Sequence, residues 1–286
     1  MVAAEILKKV RGRALSSKTA LSGSRAGAFK VHDSGAGYDF DQLREYQPGD
    51  DVRRIDWKSS ARSSSLLLRD YKDERNRTLH VILDLSPSME YGSQKLLVSD
   101  VARELAAALI AMGSETDDAL GLHYVSAGLE KSFPPRSGEK HMMHLMHSLE
   151  RQEVLGVATS LKTTLEHFGR RYRRRSLVFL ISDCIDEGYE TALRVLARQH
   201  EVALLRVRDC NEARVCQMSS VITCQDSEHH NVCVGEGHVG NRAASALNAL
   251  RDEQARICNH LNIPYVDCSN DGNHLEHLMR FVRRYF

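Results

Sequence analysis

The chain has 286 residues, 42% hydrophobic and 27% charged, with a formal net charge of +1. That length accommodates one large α/β domain plus an extra module, and a near-neutral balance excludes wholesale attachment to nucleic acid or anionic membrane, which shows as a basic excess. The most apolar helical stretch, Leu105 to Met112, falls far short of the roughly 20 residues that span a bilayer, and Lys8, Lys9, Arg11 and Arg13 are not followed by an apolar core of signal-peptide length, so a cytoplasmic protein is expected.

Three segments are expected: 1–34, 35–77 and 78–286. The first begins with a short helical pattern, Ala3 to Ala14, and passes into a Gly/Ser-rich stretch, Leu21 to Gly27. Its glycines are not followed by the Gly-Lys-Ser/Thr of a phosphate-binding loop. In the second, charges and aromatics interleave. Arg44, Arg53, Arg54 and Arg62 have Asp39, Glu45, Asp50, Asp51 and Asp56 close by in sequence, which offers bidentate ion pairs, and Pro48-Gly49 marks a turn. It reads as a salt-bridged structural module anchored by Trp57, the only tryptophan, with a partner-contacting surface as the alternative. Leu66 to Glu74 alternates weakly and predicts a strand.

The third segment opens on the apolar run Leu79-His80-Val81-Ile82-Leu83, a buried parallel strand by its branched, bounded composition. It ends at Asp84-Leu85-Ser86-Pro87-Ser88. Apolar residues at helical spacing predict a crossover helix from Lys95 to Met112, stopped by Gly113. A hairpin follows, Ala119 to Val125 and Gly128 to Phe133, closed by Pro134-Pro135. Helices are expected over Glu139–Gln152 and from Gly156-Val-Ala-Thr159 through Phe168. A second buried strand, Ser176 to Ile181, ends at Ser182-Asp183. Then come a helix (Tyr189–His200), a strand (Val202–Val207), an irregular segment to about 238, a long helix (Asn241–Leu261), a strand (Pro264–Val266) and a final helix to Phe286. Such alternation predicts an α/β fold with a doubly wound, mostly parallel sheet.

Asp84 at a strand's carboxyl end stands where open α/β folds bind ligands. Asp84, Ser86 and Ser88 fall at alternate loop positions, so three oxygens can converge on one point, and hard divalent cations want such oxygens. The competing reading has these residues cap the next helix.

The pattern Asp84-Leu-Ser-Pro-Ser88, with Thr159 about 75 residues on and Asp183 at the next central strand tip, resembles the metal-ion-dependent adhesion site of von Willebrand factor A domains. The segment from Tyr38 to Arg62, above all Gly49-Asp-Asp with Ile55-Asp-Trp57, is similar to the signature of the bacterial family catalogued as domain of unknown function 58, which joins such a segment to an A-type domain. The resemblance implies a Rossmann-type, von Willebrand factor A-like fold and a metal site of Asp84, Ser86, Ser88, Thr159 and Asp183. Gly-Val-Ala-Thr-Ser departs from the usual glycine-rich run before the threonine, which leaves Ser160 as the alternative to Thr159. The ion implied is Mg²⁺, or another divalent cation such as Mn²⁺ or Ca²⁺. It further implies a non-enzymatic interaction module that docks an acidic residue of a partner, as adaptor or co-chaperone of a MoxR-type AAA+ ATPase.

Two other functions are carried as alternatives. One is a Mg²⁺-dependent hydrolase using Asp84 and Asp183, although no general base lies near them in sequence. The other is a nucleic-acid binder through the arginine run Arg170 to Arg175, where a solvated loop is the plainer reading. Seven cysteines, an odd number and all after residue 183, read as reduced thiols. Cys210, Cys216, Cys224, His229, His230 and Cys233 are zinc-competent types without the paired Cys-x2-Cys spacing of structural zinc sites, and an irregular hairpin is the plainer reading. His141, His144 and His147 repeat every three residues on a helix face that reads as solvated. Cys184 is a candidate reactive thiol beside Asp183.

Overall fold

The computed structural model describes residues 39–47, 50, 52–63, 65–72, 77–152, 160–186, 188–212, 222–225, 232–235 and 238–286. They divide into two compact units, one within 30–76 and the other within 77–286.

In the smaller unit, β1 (Asp39–Glu45) pairs antiparallel with β2 (Leu67–Lys72). Between them lies a four-residue helix, α1 (Trp57–Ser60). Asp56 builds it: Oδ1 accepts from the Lys58 and Ser59 backbone N–H groups and Oδ2 from the Ser59 hydroxyl, an N-cap that satisfies donors the short helix leaves over. Trp57 does not anchor this unit. Its ring is 67% exposed, whereas Ile55, bridged to Leu68, supplies the buried apolar contact. The expectation failed because composition cannot tell which residues a capped turn faces inward; here they are Asp56 and Ser60. The side chains of Asp39, Arg44, Asp51 and Arg54 lie outside the described residues.

The larger unit holds a six-stranded sheet. Its strands are β3 (Thr78–Asp84), β4 (Ala119–Val125), β5 (Leu129–Arg136), β6 (Leu177–Ser182), β7 (Glu201–Arg208) and β10 (Tyr265–Ser269). In space they run β10-β7-β6-β3-β4-β5, parallel except for the antiparallel edge strand β5. The helices are α2 (Val98–Glu115), α3 (Glu139–Arg151), α4 (Leu161–Arg171), α5 (Glu190–Gln199), α6 (His238–His260) and α7 (His274–Tyr285). Strand alternation sorts the core into two layers. Leu79, Val81 and Leu83 pack with α2, α3 and α7 on one face, and Ile82, Val178 and Leu180 pack with α4, α5 and α6 on the other. This is the doubly wound α/β architecture.

Two boundaries above all differ from the sequence reading. Helix α2 runs through Gly113, which serves packing: an added Cβ would sit 2.6 Å from Leu120 Cδ2. Strand β5 runs through Pro134 and Pro135, which fall where the β4–β5 register shifts between Leu120–Arg136 and Leu122–Phe133, an irregularity on an edge strand that tolerates missing donors. The irregular segment carries the hairpin expected there in place of a zinc site, β8 (Ile222–Gln225) paired with β9 (Val232–Gly235). Gly113→Ala is expected to lower stability by about 1–3 kcal/mol despite its higher helix propensity, because the Leu120 core position has no slack; urea melts check this, and a stabilised variant contradicts it.

One polar cluster lies inside the second layer. His80 Nδ1 and His123 Nε2 are 2.9 Å apart, and His123 Nδ1 reaches Ser132 Oγ at 3.0 Å. Phe168 and Tyr172 stack around both rings, and His200 joins from below with Nδ1 2.8 Å from Ser176 Oγ. Burial drives the imidazole pKa of His80 down to about 3, with the His200 charge adding to it, and burial holds His123 well below its ordinary value.

Candidate metal centre

The chain lays down β3 first, then β4 on one side of it and β6 on the other, which makes the carboxyl edge between β3 and β6 a topological switch point. Register puts Leu83 beside Ile181, so the next residues, Asp84 and Ser182, meet at that edge. Asp84 is fully buried. Its Oδ2 accepts from the Ser182 hydroxyl at 2.6 Å and its Oδ1 from the Ser86 backbone N–H at 2.9 Å. Ser86 Oγ and Ser88 Oγ stand 3.0 Å apart. Pro87 opens a single 3-10 turn over Pro87–Glu90, which carries Ser88 to the rim, where it and Asp183 line one cavity.

The helix-capping alternative does not hold. Ser86 stands at the N-cap of the 3-10 turn but its side chain makes no cap bond, the next α-helix starts at Val98, ten residues past Ser88, and it is Asp100 that accepts from the Leu97 N–H there. Thr159 lies outside the described residues. Its neighbour Ser160 donates its hydroxyl to Thr163 Oγ1 and its N–H to the Ser126 carbonyl, while Asp186 Oδ2 accepts from the Leu161 N–H.

The third of the loops that carry the proposed ligands, the one after β6 with Asp183 and Cys184, is held from two sides. Ser182 Oγ donates to Asp84 and accepts from the Cys184 N–H, and Gln254 Nε2 of α6 donates to the carbonyls of Asp183 and Cys184. Cys184 has a φ of +57°, a left-handed conformation that costs a non-glycine residue and persists where surroundings over-determine it. Gln254 Oε1 in turn accepts from Arg206, whose guanidinium also binds Asp267 at 2.8 and 2.9 Å and the Arg251 carbonyl. Ser182, Gln254 and Arg206 hold the candidate site together and were not singled out by the sequence reading. Ser182 had a signal, since it ends a buried strand beside Asp183. The others are linked only through tertiary contacts.

The cluster tests well against a hard divalent cation. Two hydroxyls, an acidic side chain on the cavity wall and a buried carboxylate are all oxygen donors. Asp84, fixed at this edge by the Ser86 N–H and the Ser182 hydroxyl, brings a carboxylate of the kind that meets such an ion directly or through its water. Among the described residues no group of three or more His, Cys, Asp or Glu side chains has metal-site geometry; the donor set here depends on hydroxyls.

The weaker candidates resolve differently. Cys184 is fully buried, and burial first, then the Asp183 charge, pushes its thiol well above the ordinary range, which removes the thiolate that reactivity needs. His141 Nε2 lies 2.8 Å from the Leu120 carbonyl and His144 packs on Phe133, which spends two of the three helix-face histidines. In the arginine run, Arg170 pairs with Glu166 and Arg175 with Glu201, all substantially exposed. Of the zinc-competent cluster only the exposed thiol of Cys210 is described; Cys216, His229, His230 and the side chains of Cys224 and Cys233 lie outside the described residues. No helix among the described residues is long and apolar enough to cross a membrane.

Fold and site together define a doubly wound α/β protein with an oxygen-rich cluster at its switch point. Residues 42–254 match the profile of the family described as protein of unknown function DUF58, and the chain belongs to that family. Uncharacterized protein Rv1480 of Mycobacterium tuberculosis and uncharacterized protein Mb1516 of Mycobacterium bovis are each 28% identical to it over 255 residues, spanning 87% of this chain and 80% of the relative. Uncharacterized protein YeaD of Bacillus subtilis is 30% identical over 108 residues, 37% of this chain and 25% of that protein. Among solved structures, proximal thread matrix protein 1 from the mussel byssus overlays 46% of this chain and 38% of its own at 15% identity and a TM-score of 0.38; another structure of that protein has zinc in its MIDAS motif, with a TM-score of 0.37.

Proposed function

We propose that this chain is a von Willebrand factor A-type interaction module that binds a divalent cation at Asp84, Ser86, Ser88, Thr159 and Asp183 and uses it to dock an acidic residue of a partner protein. The observation that carries this reading is the meeting of the buried Asp84 carboxylate with the Ser86 and Ser88 hydroxyls, themselves hydrogen-bonded at 3.0 Å, at the edge where Ser88 and Asp183 line one cavity. Two neighbouring ligands of an octahedral ion, each about 2.1 Å from it, stand about 3.0 Å apart. An ion held this way keeps water-filled positions, and a partner's carboxylate is the natural replacement for one of those waters. The chemistry favours Mg²⁺ or Mn²⁺ over zinc, because the donors are all oxygen. The partner proposed, from the family resemblance, is a MoxR-type AAA+ ATPase, and the role that of adaptor without catalysis of its own.

Pull-down of such an ATPase by the tagged full chain tests the reading. Association is expected in millimolar Mg²⁺ and lost in EDTA or with Asp84→Ala. Capture that both treatments leave intact overturns it.

A further inference from the structure

Two large apolar side chains stand in water beside the cation edge. Tyr91, three residues past Ser88, is 41% exposed, and Ile185, two past Asp183, is 47% exposed. Both line the same cavity as Ser88 and Asp183, about 420 Å³ in volume, together with Leu247 and Leu250 of α6. The charged groups of its wall are spent on one another. Arg206 forks onto Asp267, and Arg208 stands 3.8 Å from the same carboxylate. Arg251 pairs with Glu212 at 2.6 Å. Asp209 accepts from the Ser93 N–H and hydroxyl, the Asn270 amide and the Asn211 N–H, which fills the lone-pair sites of a carboxylate. With Asp183 assigned to the ion, the wall sets Asp209, Glu212 and Asp267 against Arg206, Arg208 and Arg251, and these charges cancel. A charged side chain entering here would leave water without a countercharge to meet, whereas an apolar one would cover apolar surface that is already exposed.

We propose that this cavity takes a large apolar side chain of the partner, of leucine or phenylalanine size, close to the carboxylate that completes the cation's coordination. The inference rests on cation-dependent docking and deepens it: the recognised element is an acidic residue with an apolar neighbour, not an acidic residue alone. Each of two ligand loops contributes one exposed apolar side chain, Tyr91 from the loop of Ser88 and Ile185 from that of Asp183, so a chain whose carboxylate reaches the ion passes across them. Pockets of roughly 300–1,000 Å³ hold small molecules, and one large side chain fits well within this one.

Fluorescence polarisation with the full chain in millimolar Mn²⁺ tests this. The probe is labelled Gly-Leu-Gly-Asp-Gly-Leu-Gly, whose glycines let either leucine reach the wall, with controls in which both leucines become Ser, Glu or Lys, or the Asp becomes Asn. The leucine peptide is expected to bind about tenfold tighter than the serine control, and the glutamate and lysine peptides no tighter than that control. Ile185→Ser, at a side chain already half in water, is expected to cut the leucine preference to about threefold or less, and Tyr91→Ser to lower it as well. Equal binding of the leucine and serine peptides, both released by EDTA, overturns the inference and leaves cation-dependent docking standing. A gain with glutamate or lysine, or a leucine preference that Ile185→Ser leaves intact in a chain that still binds Mn²⁺, also overturns it. So does a leucine preference that persists in EDTA or in the Asn peptide, since the pocket would then act apart from the ion. Bound Mn²⁺ without any peptide binding removes the docking reading along with the inference, and failure to bind Mn²⁺ removes the cation site as well.

Discussion

Thermal melts taken from roughly pH 7.5 down to about pH 5 are expected to show a loss of about 2 kcal/mol through His80 alone. The native imidazole titrates at about 3 against an ordinary value of 6.5. The unfolded chain therefore takes up a proton as pH falls below 6.5, while the folded chain refuses it until near pH 3. Stability is accordingly full above pH 6.5 and drains across the interval between those two values. His123 and His200, both lowered first of all by burial, move in the same direction. The midpoint should fall by about 4–8 °C from His80 alone in a unit of this size. The pair His80→Leu with His123→Leu should flatten the profile, since only Ser132, a partly exposed residue that water can reach, loses a partner. A midpoint unchanged between the two pH values contradicts the buried neutral cluster.

Arg206→Ala is expected to be the most damaging single change at the site, by about 2–4 kcal/mol. Its side chain is 7% exposed and its guanidinium serves Asp267, Gln254 and the Arg251 carbonyl at once, so truncation removes the donor from Gln254 Oε1 and the Arg251 carbonyl and leaves Asp267, a third exposed, with Arg208 at 3.8 Å. The loss extends to the cation. Gln254, without the Arg206 donor to hold its Oε1, no longer fixes the carbonyls of Asp183 and Cys184, and the third loop relaxes from its left-handed turn. Urea denaturation reads the first effect and Mn²⁺ affinity the second. Gln254→Leu should weaken the ion at a smaller stability loss. Unaltered Mn²⁺ affinity in a folded Gln254→Leu variant contradicts the coupling.

The parts of this molecule legible in its sequence are those set by short-range patterns. Val81 to Leu83 and Leu177 to Ile181 announce buried strands because both faces of a parallel sheet are covered, and the carboxyl end of such a strand is where Asp84 and Asp183 stand. What escaped the reading depends on register and on neighbours distant in sequence. Ser182 bridges to a carboxylate 98 positions away, a contact defined only once β3 and β6 align. Gly113 reads as a stop by propensity, yet the closeness of Leu120 makes it a packing residue inside the helix. Pro134 and Pro135 read as breakers because nothing local shows that β5 would be an edge. Trp57 suggests an anchor by its size, while the cap built by Asp56 leaves its ring outward.

Electron paramagnetic resonance of Mn²⁺ titrated into the full chain is the most direct measurement of the cation centre. One site is expected in the wild type, lost in Asp84→Ala and weakened in both Ser86→Ala and Ser88→Ala, with added Mg²⁺ displacing the bound Mn²⁺ and restoring the free-ion signal. A wild-type chain that leaves all added Mn²⁺ free in solution, or Asp84→Ala that binds it as tightly, would contradict the proposed centre.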